Sequence, residues 1–385
     1  ELLAAPPGAV DAAVTELAAS GGVVLEDDAV FSPLLHAAER RAAEGLKRLL
    51  RTPHDPVEIN VENALRWVER EGKITLSALQ REAVRQGARG KVLVITGGPG
   101  TGKTTVLKSL LAILEKKGVS FVLAAPTGRA AKRMEAATGR EARTLHRLLE
   151  FNPATGRFAK GEHAPLATDL LVVDEVSMVD IQLLSSVLEA LPSFARLLLV
   201  GDVDQLPSVG AGSVLLDIIA SGLVPVVRLD TVFRQAEESG IIANAHRINR
   251  GEMPVFNDRD FVLIERDDPA KAVETLVEVA ARRLPARFGL DPLRDIQVLA
   301  PLRRGDAGVE AVNAALQAAL NPEGAPLPGR AYGLGDKVMQ LRNNYTLDVY
   351  NGDTGVVTAV DPEAGEFQVS FDDGRAVLYP MDEAD

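Results

Sequence analysis

"VLVITGGPGTGKTTVL", Val92–Leu107, is the stretch on which the fold turns. A run of branched apolar residues ends in glycines, and a lysine and two threonines follow. Gly97-Gly98-Pro99-Gly100-Thr101-Gly102-Lys103-Thr104 fits G-x-x-x-x-G-K-[ST], the phosphate-binding loop between a strand and a helix. Glycines let the backbone wrap closely, so that successive N–H groups and the helix N-terminus face phosphate oxygens. Lys103 would then reach the β- and γ-phosphates, the Thr104 hydroxyl would ligate Mg²⁺, and Thr105 continues the cradle into the helix.

Such a loop needs a second magnesium ligand from a neighbouring strand. "LLVVDEVSM" (170–178) offers Asp174 at a strand end for Mg²⁺, with Glu175 beside it to orient and deprotonate the attacking water. "LLLVGDVDQLPSVG" (197–210) places Gln205 after the next strand, either as a γ-phosphate sensor or as part of an ordinary Asp/Gly turn. "DTVFRQ" (230–235) holds Arg234, either a cation reaching across a cleft to the transferred phosphate or a surface ion pair. "LSALQREAV" (76–84) holds Gln80, whose amide could pair with an adenine edge. No N-K-x-D guanine motif is present. ATP and Mg²⁺ are the expected cofactors.

The chain has 385 residues, 46% of them hydrophobic and 25% charged, which predicts two or three soluble domains. No membrane-spanning run or signal peptide is legible, and the absence of cysteine fits a reducing cytoplasm. The first residues, "ELLAAPPGAV", lack a methionine, so an upstream segment is expected. Five scattered histidines give no ligand pair at helical spacing. The net charge of −12 argues against a nucleic-acid partner, yet Lys103–Arg147 carries ten Lys or Arg against three Glu, a local +7. That segment reads as either a solvated face or a phosphate-backbone surface.

Residues 1–75 read as a small helical accessory domain: "LLHAAERRAAEGLKRLL" (34–50) has helical periodicity, "SGGVVLEDDAVFS" (20–32) suits a short strand pair, and "TPHDP" (52–56) is linker-like. From 76 to about 230, five apolar runs (91–96, 120–126, 169–174, 195–202 and 224–230) alternate with helices, the pattern of a parallel sheet. "LLEFNPATGRFAKGEHAPL" (148–166) interrupts them as a surface hairpin. A second α/β lobe follows, with a strand and loop at "RDIQVLAPLRRG" (294–305) and a helix at 307–320. From 333 the chain becomes all-β, with "TGVVTAV", "EFQVSF" and "RAVLYP" separated by turns.

Together these motifs resemble the RecD-like group of superfamily 1 helicases. Gln80 sits where that family has its adenine-reading glutamine. "APTGRAAKRM" (125–134) and "TLHRLL" (144–149) look like its DNA-contacting motifs. "DEVSM", "GDVDQLPSVGAG" and "LDTVFRQ" are similar to its magnesium, coupling and second-lobe motifs. "AHRINRGEMP", "LAPLRRGDAGVEAVNAALQ" and "GDKVMQLRNNYTLDVYNGDTG" extend the likeness over roughly 70–360. The resemblance implies two RecA-like P-loop motor lobes with parallel sheets, at 76–215 and 216–332. It adds a small helical N-terminal domain (1–75), a β-hairpin pin inserted at 148–168, and an SH3-like β insert (333–385).

It also implies an ATP-dependent DNA helicase, a monomeric motor moving 5′ to 3′ on single-stranded DNA and opening ssDNA–dsDNA junctions in DNA repair or recombination. Lys103, Glu175, Gln205 and Arg234 carry hydrolysis in that picture. Pro126, Thr127, Arg129, Thr144 and His146 meet DNA on the first lobe, and Arg303, Asn343 and Tyr345 on the second. A half-buried core role for His146 is the alternative. An RNA helicase and a P-loop nucleotide switch are the competing readings. The N-terminal residues are similar to those of the stand-alone type. The family has two more motifs beyond the insert, whereas this sequence stops at "LYPMDEAD" (378–385), so nucleotide binding with weak hydrolysis is expected.

Overall fold

Alternation inside the apolar runs builds the centre of the molecule. In the computed structural model, which describes residues 8–53, 57–230, 239–257, 259–344 and 346–383, side chains along each central strand divide between two cores. Val92, Val94, Leu171, Val173, Leu197 and Leu199 enter one. Leu93, Ile95, Leu170, Val172, Leu198 and Val200 enter the other. Strands covered on both faces need apolar residues at every position, so they read as unbroken runs.

In chain order the first elements are α1 (Ala9–Ala19), β1 (Val24–Glu26), β2 (Ala29–Phe31), α2 (Pro33–Arg51), α3 (Val61–Gly72) and α4 (Ala78–Arg89). Next come β3 (Val92–Gly97), α5 (Lys103–Glu115), β4 (Phe121–Ala125), α6 (Gly128–Thr138), β5 (Ala142–Thr144) and α7 (Leu145–Leu148). The hairpin strands β6 (Phe151–Asn152) and β7 (Arg157–Phe158) precede β8 (Leu170–Val173), α8 (Ile181–Ala190), β9 (Arg196–Gly201), α9 (Val214–Ala220) and β10 (Val226–Leu229). Six of these strands form one parallel sheet in the order β10-β3-β9-β8-β4-β5. All five strands expected between 91 and 230 are present; β5, only three residues long, was not expected.

The chain divides into two compact units, 1–255 and 256–385, and this moves two expected boundaries. A first lobe ending at 215 would cut off β10, but Val226–Leu229 pairs with Val94–Gly97 and completes the sheet. An N-terminal domain over 1–75 is also not separate. Ala42 and Leu49 of α2 lie in one core of the sheet, and Val61, Leu65 and Val68 of α3 lie in the other. Arg48 reinforces the first contact by donating to the carbonyls of Leu188 and Leu191 (2.5 and 2.8 Å) and to Ser193 Oγ (3.0 Å). The amphipathic pattern of α2 faces α8 rather than another N-terminal helix, whereas α1 buries none of its residues.

In the second unit, helices cover Pro269–Glu278, Leu284–Phe288 and Val309–Leu320, with a π-helical turn at Val279–Arg283. The strand expected in 294–305 is not one: no ladder includes these residues, and Leu299 and Leu302 are exposed. An extended segment becomes a strand only when it pairs in a ladder with a neighbouring strand, whereas the backbone bonds here are local, the Asp295 N–H donating to the Asp291 carbonyl and the Leu302 and Arg303 carbonyls accepting from the Val309 and Glu310 N–H groups. Beyond them, β11 (Lys337–Met339), β12 (Thr354–Asp361), β13 (Glu366–Phe371) and β14 (Ala376–Pro380) form an antiparallel sheet with its own core. Buried Asp336 accepts from Asn321 Nδ2 and the Gly333 N–H, both at 2.8 Å, and from Gln317 Nε2. The helix before 333 is thereby part of the β module. No helix among the described residues is long and apolar enough to cross a membrane.

Gly45 is where α2 crosses α8: a Cβ there would lie 2.8 Å from Leu188 Cβ. Gly45→Val should therefore cost about 1–3 kcal/mol. In chemical denaturation the whole first unit should unfold in one transition at lower denaturant. A separate early transition that spares nucleotide binding would show that the N-terminal helices fold independently.

Candidate nucleotide site and nucleic-acid interface

Parallel strands all end at one edge, so the loops that follow them converge there. Along that edge the central and outer strands present, in order, the phosphate loop after β3, Gln205 after β9, Asp174 and Glu175 after β8, Pro126 and Thr127 after β4, and Thr144 at the end of β5. The loop after β9 is pinned to the phosphate-loop strand: the Val203 N–H donates to buried Thr96 Oγ1 at 3.1 Å.

The phosphate loop takes its shape from Gly100 and Gly102, at φ 76° and 81°, a left-handed conformation costly for other residues. Gly102 caps α5, whose N-terminus therefore points into the loop. Buried Thr101 donates from Oγ1 to the Gly98 carbonyl at 2.9 Å. Lys103 Nζ donates to the carbonyls of Gly97 and Gly98, the latter at 3.1 Å, and keeps a third N–H for a phosphate. A cleft of about 500 Å³, within the usual range for small-molecule sites, is lined by Gly98, Pro99, Gly100, Gly102, Lys103, Thr104 and Thr105. Gly97 and Thr101 stand behind this wall.

Gln80 also lines the cleft, but its amide already holds the fold together. Oε1 accepts from the Ser77 N–H (3.0 Å) in a capping box, and Nε2 donates to the Thr101 carbonyl (3.2 Å). Only the second N–H and the second lone pair remain for a base edge. Ile74, Thr75 and Arg133 complete the lining, and none of the three was expected. Ile74 and Thr75 precede the Gln80 helix as an unremarkable apolar–polar pair, and Arg133 was hidden within the basic run. His246 was also missed: its Nε2 is buried without a partner among the described residues. Its Cε1 is 3.2 Å from where a Cβ on Gly98 would be.

Asp174 and Glu175 follow the end of β8. Asp174 Oδ1 accepts the Glu175 N–H at 2.9 Å. Glu175 has φ 52° and ψ 42°, a left-handed backbone that costs a non-glycine residue about 1–3 kcal/mol and is typical of functional positions. Burial pushes the Asp174 carboxyl above its ordinary range, against the pull of the Glu175 N–H, Arg133 and Lys103. Burial also raises Glu175, the Asp174 charge adds to that, and Arg133 and Lys103 oppose it. The described residues hold no cluster of three or more acidic or histidine ligands. Mg²⁺ on a nucleotide takes only one or two protein oxygens, so a threonine hydroxyl and one buried carboxylate fit it, and a divalent ion would relieve the burial of Asp174.

Among the remaining expected residues, Gln205 is exposed beside the phosphate-loop strand and does not line the cleft. The hydroxyls of Thr127 and Thr144 are helix caps, accepting from the Ala130 and Arg147 N–H groups at 3.2 Å. Pro126 is half-buried and Arg129 exposed. His146 packs edge-on against Phe151 (5.5 Å) and tilted against Phe158 (5.7 Å), so it anchors the hairpin. Burial lowers its pKa, with Asp180 opposing. The basic run is partly spent internally, since Arg140 pairs with Glu115 (2.6 Å) and Arg143 with Glu141 (2.7 Å). In the second unit, exposed Arg303 lies 3.7 Å from Glu310, and Asn343 Oδ1 accepts the Asn351 N–H at 2.9 Å. Arg234 and Tyr345 lie outside the described residues.

The raised Asp174 carboxyl gives a signed prediction. Protonation sets in above the ordinary aspartate value of about 3.9, so Mg²⁺-dependent ATP binding weakens on acidification while exposed carboxylates are still charged. Folding has the opposite sign, because neutral Asp174 favours the fold at low pH and that contribution is lost as pH rises through the folded-state value. Asp174→Asn should raise the melting temperature of the nucleotide-free protein at pH 8. It should also weaken Mg²⁺-dependent nucleotide binding by at least about tenfold in calorimetry.

Comparison with known proteins agrees with this geometry. A family model described as an AAA domain matches residues 80–211, and the model of the ATP-dependent RecD-like DNA helicase SH3 domain matches 312–371. The ATP-dependent RecD2 DNA helicase of Deinococcus radiodurans is 38% identical over 353 residues, covering 89% of this chain and 46% of the relative. The RecBCD enzyme subunit RecD of Mycolicibacterium smegmatis is 37% identical over 316 residues, covering 73% of this chain and 57% of the relative. The chain thus spans about half the length of these relatives. Among solved structures, a Pif1 helicase superposes with a TM-score of 0.47 at 22% identity, covering 80% of this chain and 76% of that one. With both domain models and with identities of 38% and 37% over most of its length, the chain belongs to the RecD-like helicase family.

Proposed function

We propose that the protein is an ATP-dependent DNA helicase of the stand-alone type. It translocates 5′ to 3′ on single-stranded DNA and opens ssDNA–dsDNA junctions as a cytoplasmic monomer in DNA repair or recombination. The observation that carries this reading is the order of groups along one sheet edge, where the phosphate loop, Gln205, the Asp174–Glu175 pair, Thr127 and Thr144 follow β3, β9, β8, β4 and β5 in turn. The relatives, an ATP-dependent DNA helicase and a RecBCD enzyme subunit, support it.

In this reading Lys103 and the α5 N-terminus hold the β- and γ-phosphates, and the free N–H of Gln80 orients the base. Thr104 and Asp174 would hold Mg²⁺, which supplies charge neutralisation between the phosphates. Glu175 orients the attacking water and takes its proton, Gln205 senses the γ-phosphate, and Arg234 stabilises the transferred charge. The domain roles are those of a first motor lobe, a second lobe beginning after it, and an SH3-like module. Pro126, Thr127, Arg129 and Thr144 line the DNA path of the first lobe, while Arg303, Asn343 and Tyr345 serve the second. The hairpin β6–β7, braced on His146, is the strand-separating pin.

Phosphoryl transfer relies on positioning and electrostatics, so losing one clamp group is costly. Lys103→Ala should reduce ssDNA-stimulated ATP turnover by about 10²–10³-fold. Glu175→Gln should bind ATP as tightly as the wild type and not turn it over. Affinity for oligo-dT should fall linearly on a log–log plot against salt. Duplexes with a 5′ tail should be unwound and those with a 3′ tail left intact. Unwinding from 3′ tails would reverse the polarity, and a preference for RNA tracks would move the protein to the RNA helicases.

A further inference from the structure

Arg133 is not explained by the roles above. It lines the nucleotide cleft, yet it belongs to α6, the helix that opens with the DNA motif. Arg129 and Arg133 are four residues apart, so they share one face of α6, one turn from each other. Arg133 Nη1 lies 3.4 Å from Glu175 Oε1. Besides Asp174 next to it, the charged groups acting on Glu175 are Arg133 from α6, Lys103 from α5 and Asp202 from the end of β9. Of the two cations, Lys103 is engaged by carbonyls of its own loop.

We propose that Arg133 is a positioning residue that holds the Glu175 carboxylate away from the attacking water until single-stranded DNA engages the first turn of α6. A carboxylate paired with a guanidinium is a poorer proton acceptor and has fewer free lone pairs for water. The pair is also suited to release. The Arg133 side chain is 76% exposed and that of Glu175 19%, so the contact is a rim ion pair of small net worth rather than a buried lock. A shift of α6 on DNA binding would move Arg133 with it, because both arginines ride on one rigid helix. ATP hydrolysis would then be restrained in the absence of DNA by a contact within a single lobe.

This inference rests on the helicase reading, and the test separates the two. ATP turnover of the full chain is measured without DNA and at saturating oligo-dT for wild type, Arg133→Ala and Arg133→Lys, together with nucleotide affinity and oligo-dT affinity. Arg133→Ala should raise the DNA-free kcat by roughly two- to fivefold, the range of a rim ion pair, with KM for ATP unchanged. The stimulation ratio should fall by the same factor, and lysine should restore most of it. An unchanged ratio at saturating oligo-dT, whether or not oligo-dT affinity drops, would overturn the proposal and leave the helicase reading standing. A fall in DNA-free turnover would overturn it too, by making Arg133 an aid to hydrolysis. No stimulation of the wild type would overturn both.

Discussion

The pairing of Val92–Thr96 with Leu197–Gly201 is the contact on which the rest depends. It sets β3 beside β9, and through β9 it sets β8 and the two outer strands in register. Because every pairing in this sheet is parallel, each strand delivers its following loop to the same edge. A one-residue slip would turn Leu93 and Ile95 out of one core and Val92 and Val94 out of the other. Two packed cores therefore fix the relative positions of a phosphate loop, a carboxylate pair and two helix caps.

The groups along this edge do double duty. Gln80 caps α4 and ties it to the phosphate loop. Thr127 and Thr144 cap α6 and α7 from within the motifs proposed to meet DNA. Glu175 sits in a left-handed backbone conformation directly after the most buried part of β8. Such arrangements are stable only where the surroundings over-determine them, and here the two cores supply that constraint. The same coupling makes it natural for nucleotide and DNA occupancy to influence each other through small shifts of α6 and the β9 loop.

What could be read in the sequence followed from how local each signal is. The phosphate loop, the Asp174–Glu175 step and the five apolar strands are written in consecutive residues, and the structure contains them where expected. β5 escaped notice because three residues, Ala142–Thr144, give no periodicity; only pairing with β4 makes them a strand. The N-terminal helices were assigned to a domain of their own because amphipathicity reveals a buried face without naming its partner, which for α2 is α8. The segment at 294–305 failed in the opposite way: it has strand composition but no described neighbour to pair with. In the site, Arg133 and His246 were invisible because proximity to the loop comes from folding, with no motif to mark it. His146 is legible as one of two options, and its packing on Phe151 and Phe158 favours the structural one.

The central claim is that one sheet edge links nucleotide and single-stranded DNA. Its most direct test is a pair of equilibrium titrations on the intact chain: oligo-dT affinity with and without a non-hydrolysable ATP analogue, and analogue affinity with and without oligo-dT. The account predicts that each ligand changes the affinity of the other by the same factor, within the roughly 5- to 150-fold range of linked sites. Two affinities that ignore each other would contradict it.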